Sequence, residues 1–218
     1  MEGIHLMNEQ FWWFLSRSSG IVTWALLAAT TLWGIFLSTR MLKPYDRPAW
    51  LRDLHTWLGT LTLLGTGVHI LAIMADSYVQ FSVKDILVPM SATWKPLALA
   101  WGIVSMYMLL AVQISSWAMK KIPRKLWRAI HFLSYGLFAT TSIHSLSAGT
   151  DRSALLYQGF SIALITLVLG AIAIRIVYAG DPKTRDVISR ASAGATTAAA
   201  AKQTPSPPTQ STTPPASE

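Results

Sequence analysis

Residues 51–75, LRDLHTWLGTLTLLGTGVHILAIMA, are apolar for long enough to cross a bilayer, which takes about 20 residues. The stretch nevertheless carries two histidines, His55 and His69. Ionisable side chains at membrane depth are costly and are kept for a function. A spacing of fourteen gives roughly 21 Å of rise and about 320° of helical phase, so both rings leave nearly the same helix face. Gly59 and Gly65 each sit one turn inward on about that face. Missing side chains there would leave room for a large flat ligand.

A second stretch answers the first. Residues 127–148, WRAIHFLSYGLFATTSIHSLSA, carry His131 and His144, thirteen apart. The rise is roughly 19.5 Å but the phase about 220°, so a straight helix does not turn both rings to one partner. A bend is expected at Gly136. Neutral imidazole is a haem-iron ligand, and four histidines at two matched depths suit two six-coordinate haems. Single-haem and haem-free readings stay open, as does a proton relay. Relays usually include membrane carboxylates; here Asp53 and Asp76 lie at span edges and Gln113 is the most polar other span residue.

Three further stretches read as membrane spans: residues 11–39, opening on the interfacial aromatics FWWF, residues 94–117, and residues 153–178. The fold class is therefore all-α, an integral membrane bundle of about five transmembrane helices. Residues 1–10 are polar and mildly acidic, without the basic start of a secretory signal, and His5 there is an ordinary surface residue. Pro44 and Pro48 break any helix in the 40–53 loop. Residues 76–93 have room for an interfacial helix. Gly102 and Ser105 are close-packing points in the third span. The last span, rich in LITLVLGAIAI, borders lipid. From about residue 179 the chain turns to alanine, threonine, serine and proline, which bury too little to fold alone and read as a disordered cytoplasmic tail.

The net charge of +8 belongs to orientation rather than to nucleic acid. Fourteen of the eighteen Lys and Arg lie in 40–53, in 118–128 and from Arg175 onward; Arg17, Lys84, Lys95 and Arg152 make up the rest. By the positive-inside bias the N-terminus is outside and the C-terminus cytoplasmic, in the plasma (cell inner) membrane. The second and fourth spans then run parallel. An inner haem falls to His55 and His131, and an outer haem to His69 and His144. Arg17 either snorkels to the interface or pairs with a haem propionate. Arg47, Arg52, Arg124 and Arg128 orient the chain and are placed to neutralise inner propionates. Cysteine is absent, which excludes disulfides, thiolate catalysis, iron–sulfur clusters, thiolate-ligated haem and covalent CxxCH attachment. No glycine-rich phosphate fingerprint is visible, so the electron donor is expected on another chain.

The motifs LHTWLG with a histidine fourteen later and LWRAIHFLSYG with one thirteen later resemble the ferric reductase-like transmembrane domain, as does the opening WFLSRSSGIVTWALL. That superfamily includes NADPH oxidases, ferric-chelate reductases and the haem subunit of bacterial methionine sulfoxide reductase systems. The resemblance covers roughly residues 11–178. It implies a haem-holding bundle with axial ligands His55, His69, His131 and His144, two b-type haems, and electron transfer from inside to outside. The implied donor is a separate flavin- or quinone-dependent partner, since the cytoplasmic flavin and nicotinamide domain is not seen here. The implied outer acceptor is ferric iron, oxygen or a partner reductase. The competing class is a haem-free membrane interaction protein whose histidines pack the bundle.

Overall fold

The computed structural model describes residues 2–39, 48–76 and 79–180. Arg47, Pro44 and the tail from residue 181 lie outside the described residues, as does the side chain of His5. The described residues form six helices and no strand: α1 (Glu2–Thr39), α2 (Pro48–Ala75), α3 (Val83–Leu87), α4 (Pro96–Trp117), α5 (Arg124–Ala148) and α6 (Leu155–Gly180). The bundle is the unit Met1–Arg175; a second unit begins at Ile176, of which the end of α6 is described.

Among the described residues four helical segments are long and apolar enough to cross a membrane: Gln10–Thr39, Ala49–Ala75, Pro96–Trp117 and Leu155–Val177. The chain is thus a helical membrane bundle. Helix α5, counted above as a further span, has the length but not the apolarity among its 25 residues. It opens RKLWR and carries Ser134, Thr140, Thr141, Ser142, Ser145 and Ser147 besides its histidines. Two of those hydroxyls meet neighbouring helices: Ser142 accepts the indole N–H of buried Trp24 at 3.1 Å, and Ser105 on α4 donates to Thr140 at 2.8 Å.

Several element ends differ from the sequence reading. Helix α1 begins at Glu2, so the polar segment before the first span is helical. Pro48 opens α2 instead of breaking it. At the first helical position a missing N–H costs nothing and the fixed φ suits the helix. The connection after α2 does hold a short helix, α3, closed by a capping box between Ser82 and Asp85. The Ser82 N–H and hydroxyl both donate to the Asp85 carboxylate, and these bonds hold its pKa below the usual range. Lys95, in the left-handed region at φ 40°, starts α4 and its ammonium reaches the last carbonyls of α5, Ser147 and Ala148.

Two helical hairpins organise the bundle. Helices α1 and α2 pack along their length, and so do α4 and α5, while α1 also meets α5. Helix α6 joins through single large side chains: Phe160 edge-on to Trp24 at 6.1 Å, and Tyr157 hydrogen-bonded to Ser145. The core is a cluster of Trp24, Leu27, Ala28, Leu109, Leu137 and Phe138, with Tyr157 and Val168 from α6. Burying such side chains contributes about 1.5–3 kcal/mol each against water. Within a bilayer the same contacts act through close packing and hydrogen bonds instead.

Candidate haem-binding site

Each hairpin carries its two histidines on its second helix and backs them with its first. His55 and His69 leave α2 toward α1, where a Cβ added to Gly34 would lie 3.2 Å from His55 Cε1 and one added to Gly20 would lie 2.9 Å from His69 Cε1. His144 leaves α5 toward α4, where a Cβ on Gly102 would be 2.7 Å from its ring. A Cβ at Gly20 or Gly102 would stand closer than real Cβ atoms do, and one at Gly34 would press on His55, so the rings sit in notches that these glycines leave.

The first helix of each hairpin also fixes the rings. His55 Nδ1 donates to the Thr30 carbonyl at 3.1 Å, His69 Nδ1 to the Ser16 carbonyl at 2.7 Å, and His144 Nδ1 to the Ala98 carbonyl at 2.8 Å. A carbonyl only accepts, so in all three neutral rings Nδ1 carries the proton and Nε2 keeps its lone pair. A metal-ligating histidine needs that state, with its far nitrogen tied down. His131 is held more loosely, with Nδ1 at 3.5 Å from the Ser116 hydroxyl and its ring stacked on Trp127 at 5.1 Å and 27°.

The four rings meet in two pairs. His55 and His131 have centroids 6.0 Å apart, and His69 and His144 have centroids 6.5 Å apart. An ion bridging two imidazoles with metal–nitrogen bonds of about 2.0 Å, plus about 1.1 Å from nitrogen to ring centre, puts the centroids about 6 Å apart. Both pairs match. Among the described residues no group of three or more His, Cys, Asp or Glu could hold a metal ion. A bare ion would therefore find two protein donors at either level, whereas a porphyrin brings four nitrogens and asks the protein for two. The donor set and its spacing fit haem.

Around His69 and His144 the helices enclose a cavity of about 310 Å³, also lined by Gly20, Gly102, Arg17 and Tyr157. That is the lower end of the ~300–1,000 Å³ typical of ligand sites. Arg17 lies at this cavity, and its charge is met by Asp151. Its Nε donates to Asp151 at 3.0 Å and a second nitrogen pairs with the other carboxylate oxygen, while the guanidinium lies 4.0 Å from the centre of Trp13. Arg52 and Arg128 have exposed side chains three residues before His55 and His131, the spacing of neighbours on one helix face.

The span glycines serve packing between helices. Gly59 and Gly65 do not open a ligand surface: the Cβ position of Gly65 is taken by the Thr23 hydroxyl, and that of Gly59 lies 3.2 Å from Gln113 Oε1. They let α2 approach α1 and α4. Helix α5 runs without interruption from Arg124 to Ala148, and at Gly136 Met108 of α4 packs 2.8 Å from where a Cβ would be. The glycines that matter to the rings, Gly20, Gly34 and Gly102, are on the partner helices. One signal pointed to them: Gly20 and Gly34 are fourteen apart, the spacing of His55 and His69 read antiparallel.

Residues 11–142 match the family described as Ferric reductase like transmembrane component. No curated protein and no solved structure matches the chain.

Proposed function

The chain belongs to the family of ferric reductase-like transmembrane components, and on that premise we propose that it is a di-haem b-type membrane cytochrome that relays electrons across the membrane. The observation that carries this is the pairing of four histidines at two levels, His55 with His131 and His69 with His144, at ring separations of 6.0 and 6.5 Å. Bound at each level, haem supplies an iron that carries one electron at a time between its ferric and ferrous states.

The protein's own residues do the rest. Main-chain carbonyls of Thr30, Ser16 and Ala98 orient three of the four ligands and fix their tautomer. Trp24, Leu27, Leu109, Leu137 and Phe138 fill the bundle between the two levels with close-packed apolar side chains, which keep water out. The bias of Lys and Arg orients the chain with its N-terminus outside and its C-terminus in the cytoplasm of a plasma membrane. The His55/His131 pair is then the inner one and the His69/His144 pair the outer one. Arg52 and Arg128 stand ready for inner propionates. Arg17 has guanidinium donors beyond those that Asp151 uses, available to an outer one. The haem domain covers residues 11–178 and residues 179–218 are a tether. The donor is a separate flavin- or quinone-dependent partner, and the acceptor ferric iron, oxygen or a partner reductase outside.

A proton relay fits less well, because three Nδ1–H groups end on main-chain carbonyls that pass no proton onward. The haem-free reading has one observation behind it: three of the rings pack against glycines of a neighbouring helix, as bundle-packing histidines would. An absorption spectrum of the purified full-length protein, oxidised and dithionite-reduced, with the haem-to-protein ratio, separates the two. Low-spin b-type bands at two haems per chain are expected. No Soret band after haem-supplemented expression overturns the proposal.

A further inference from the structure

Arg175 interrupts the most apolar helix of the chain, in the sequence LVLGAIAIRIV. It lies in the last turn of the span Leu155–Val177, where a guanidinium can reach water, yet this one turns to α5. Among the described residues it pairs with no carboxylate. One of its N–H groups donates to the Tyr135 hydroxyl, and its centre lies 5.3 Å from the Phe132 ring centroid and 5.5 Å from that of Tyr135. A phenol and two aromatic faces hold a cation in place without cancelling it. Phe132 and Tyr135 are the first and fourth residues after His131, so α6 delivers a fixed positive charge to the turn of α5 that begins at an inner histidine. The arginine of the outer level, Arg17, is instead neutralised by Asp151.

Building on the di-haem reading, we propose that Arg175, clamped by Tyr135 and Phe132, is the positioning residue that raises the reduction potential at the His55/His131 level and so favours electron uptake from the donor there. Reduction of ferric to ferrous iron adds one electron and breaks no bond, lowering the charge at the site by one. A fixed cation nearby favours that change. Arginine does not deprotonate in proteins, so the effect is constant with pH. A unit charge within about 10 Å at an effective dielectric near 20 changes a one-electron equilibrium by roughly tenfold.

The test is an optical redox titration of the full-length haem-loaded protein, with dithionite as reductant. His55→Ala and His144→Ala identify the inner and outer components by their loss. Arg175→Gln is expected to lower the potential of the inner component by about 59 mV, one tenfold step for one electron, and to leave the outer component in place. Arg175→Lys should restore at least half of the shift, and Tyr135→Phe should give a smaller shift in the same direction. Selective loss of the inner haem in Arg175→Gln, with retention in Arg175→Lys, also supports the assignment. An unshifted or raised inner potential, equal shifts in both components, or loss of both haems overturns it. A wild-type protein without a Soret band sinks the haem reading and this assignment with it.

Discussion

The two histidine levels are built from the same parts to different tolerances. At the outer level both rings are tied to carbonyls under 3 Å away, both press into glycine notches, and a cavity opens between them. At the inner level His55 is tied at 3.1 Å, whereas His131 leans on a hydroxyl at 3.5 Å and on the face of Trp127. Where α4 offers Gly102 to His144, it offers Ser116 to His131. Tight anchoring pre-organises a ligand, and what is ordered beforehand need not be ordered on binding. The outer level is therefore the more rigid receptor and the inner level the more adaptable one. Charge follows the same division: Arg17 at the His69/His144 level pairs with Asp151, whereas among the described residues Arg175 near His131 pairs with no carboxylate.

The largest effects come from removing a ligand. His69→Ala or His144→Ala should remove the outer haem, and His55→Ala or His131→Ala the inner one, each leaving about half of the haem. The two variants of one pair should share a residual spectrum, and their double variant should be little worse than either single, since the ligands act as a unit. Shared residual spectra between His55→Ala and His144→Ala would break the pairing. The comparison is sharpened by the order of loss: on dilution of wild-type protein, the inner component should leave first.

Glycine notches give the next largest effect. In Gly102→Ala the new Cβ would stand 2.7 Å from both Cε1 and Nδ1 of His144, so the ring must swing away from the Ala98 carbonyl. Overpacking of this kind costs about 1–3 kcal/mol, read as a weaker outer haem in a haem titration of the apoprotein. Gly34→Ala puts its Cβ 3.2 Å from His55 Cε1, a contact that a shift of tenths of an ångström relieves. Alanine's advantage over glycine in a helix, about 1 kcal/mol, then offsets most of the cost. If Gly34→Ala weakens haem binding as much as Gly102→Ala, the difference in tolerance between the levels is wrong.

Much of this was legible in the sequence, for identifiable reasons. The spans stood out because long apolar runs have few alternatives, and the matched spacing of His55 with His69 and of His131 with His144 already put the rings at two depths. What the sequence hid is what happens between helices. Gly59 and Gly65 were read as ligand space because a one-helix argument cannot know that Thr23 and Gln113 fill those positions from neighbouring helices. At Gly136 the phase of about 220° asks for a bend, and the sequence cannot show that Met108 of α4 packs there. Both α5 rings nonetheless meet their partners from an unbroken helix. Asp151 as partner of Arg17, and Tyr135 as partner of Arg175, lie 134 and 40 residues away in sequence, beyond any local pattern.

A smaller effect is expected at the Arg17–Asp151 fork. Both side chains are partly exposed, at 24% and 35%, and solvent screens such pairs to about 0–1 kcal/mol. Asp151→Asn should therefore change thermal stability little. If Arg17 serves an outer propionate, the same variant frees its guanidinium and should leave outer haem content intact or raised, while Arg17→Gln lowers it. Equal loss of outer haem in both variants would mean that the ion pair itself holds the cavity together.

The smallest effect probes the weak anchor of the inner level. Ser116 Oγ lies 3.5 Å from His131 Nδ1, at the outer limit of a hydrogen bond, and the same hydroxyl already donates to the Val112 carbonyl at 2.7 Å. Its one proton is thus committed to Val112, and toward His131 it can only accept. Ser116→Ala removes an acceptor that holds the ring loosely, so inner haem affinity should fall by less than about 0.5 kcal/mol, at the bottom of the usual range for a hydrogen bond. The stacked Trp127 keeps the ring in place meanwhile. The outer anchors allow no such comparison by side-chain replacement, because they are main-chain carbonyls. The double variant Ser116→Ala/Trp127→Leu supplies it by removing both supports of His131. Inner haem should then dissociate measurably faster than in either single variant, with the outer component unchanged. If Ser116→Ala alone releases the inner haem, the hydroxyl is a principal anchor and the two levels are equally well tied.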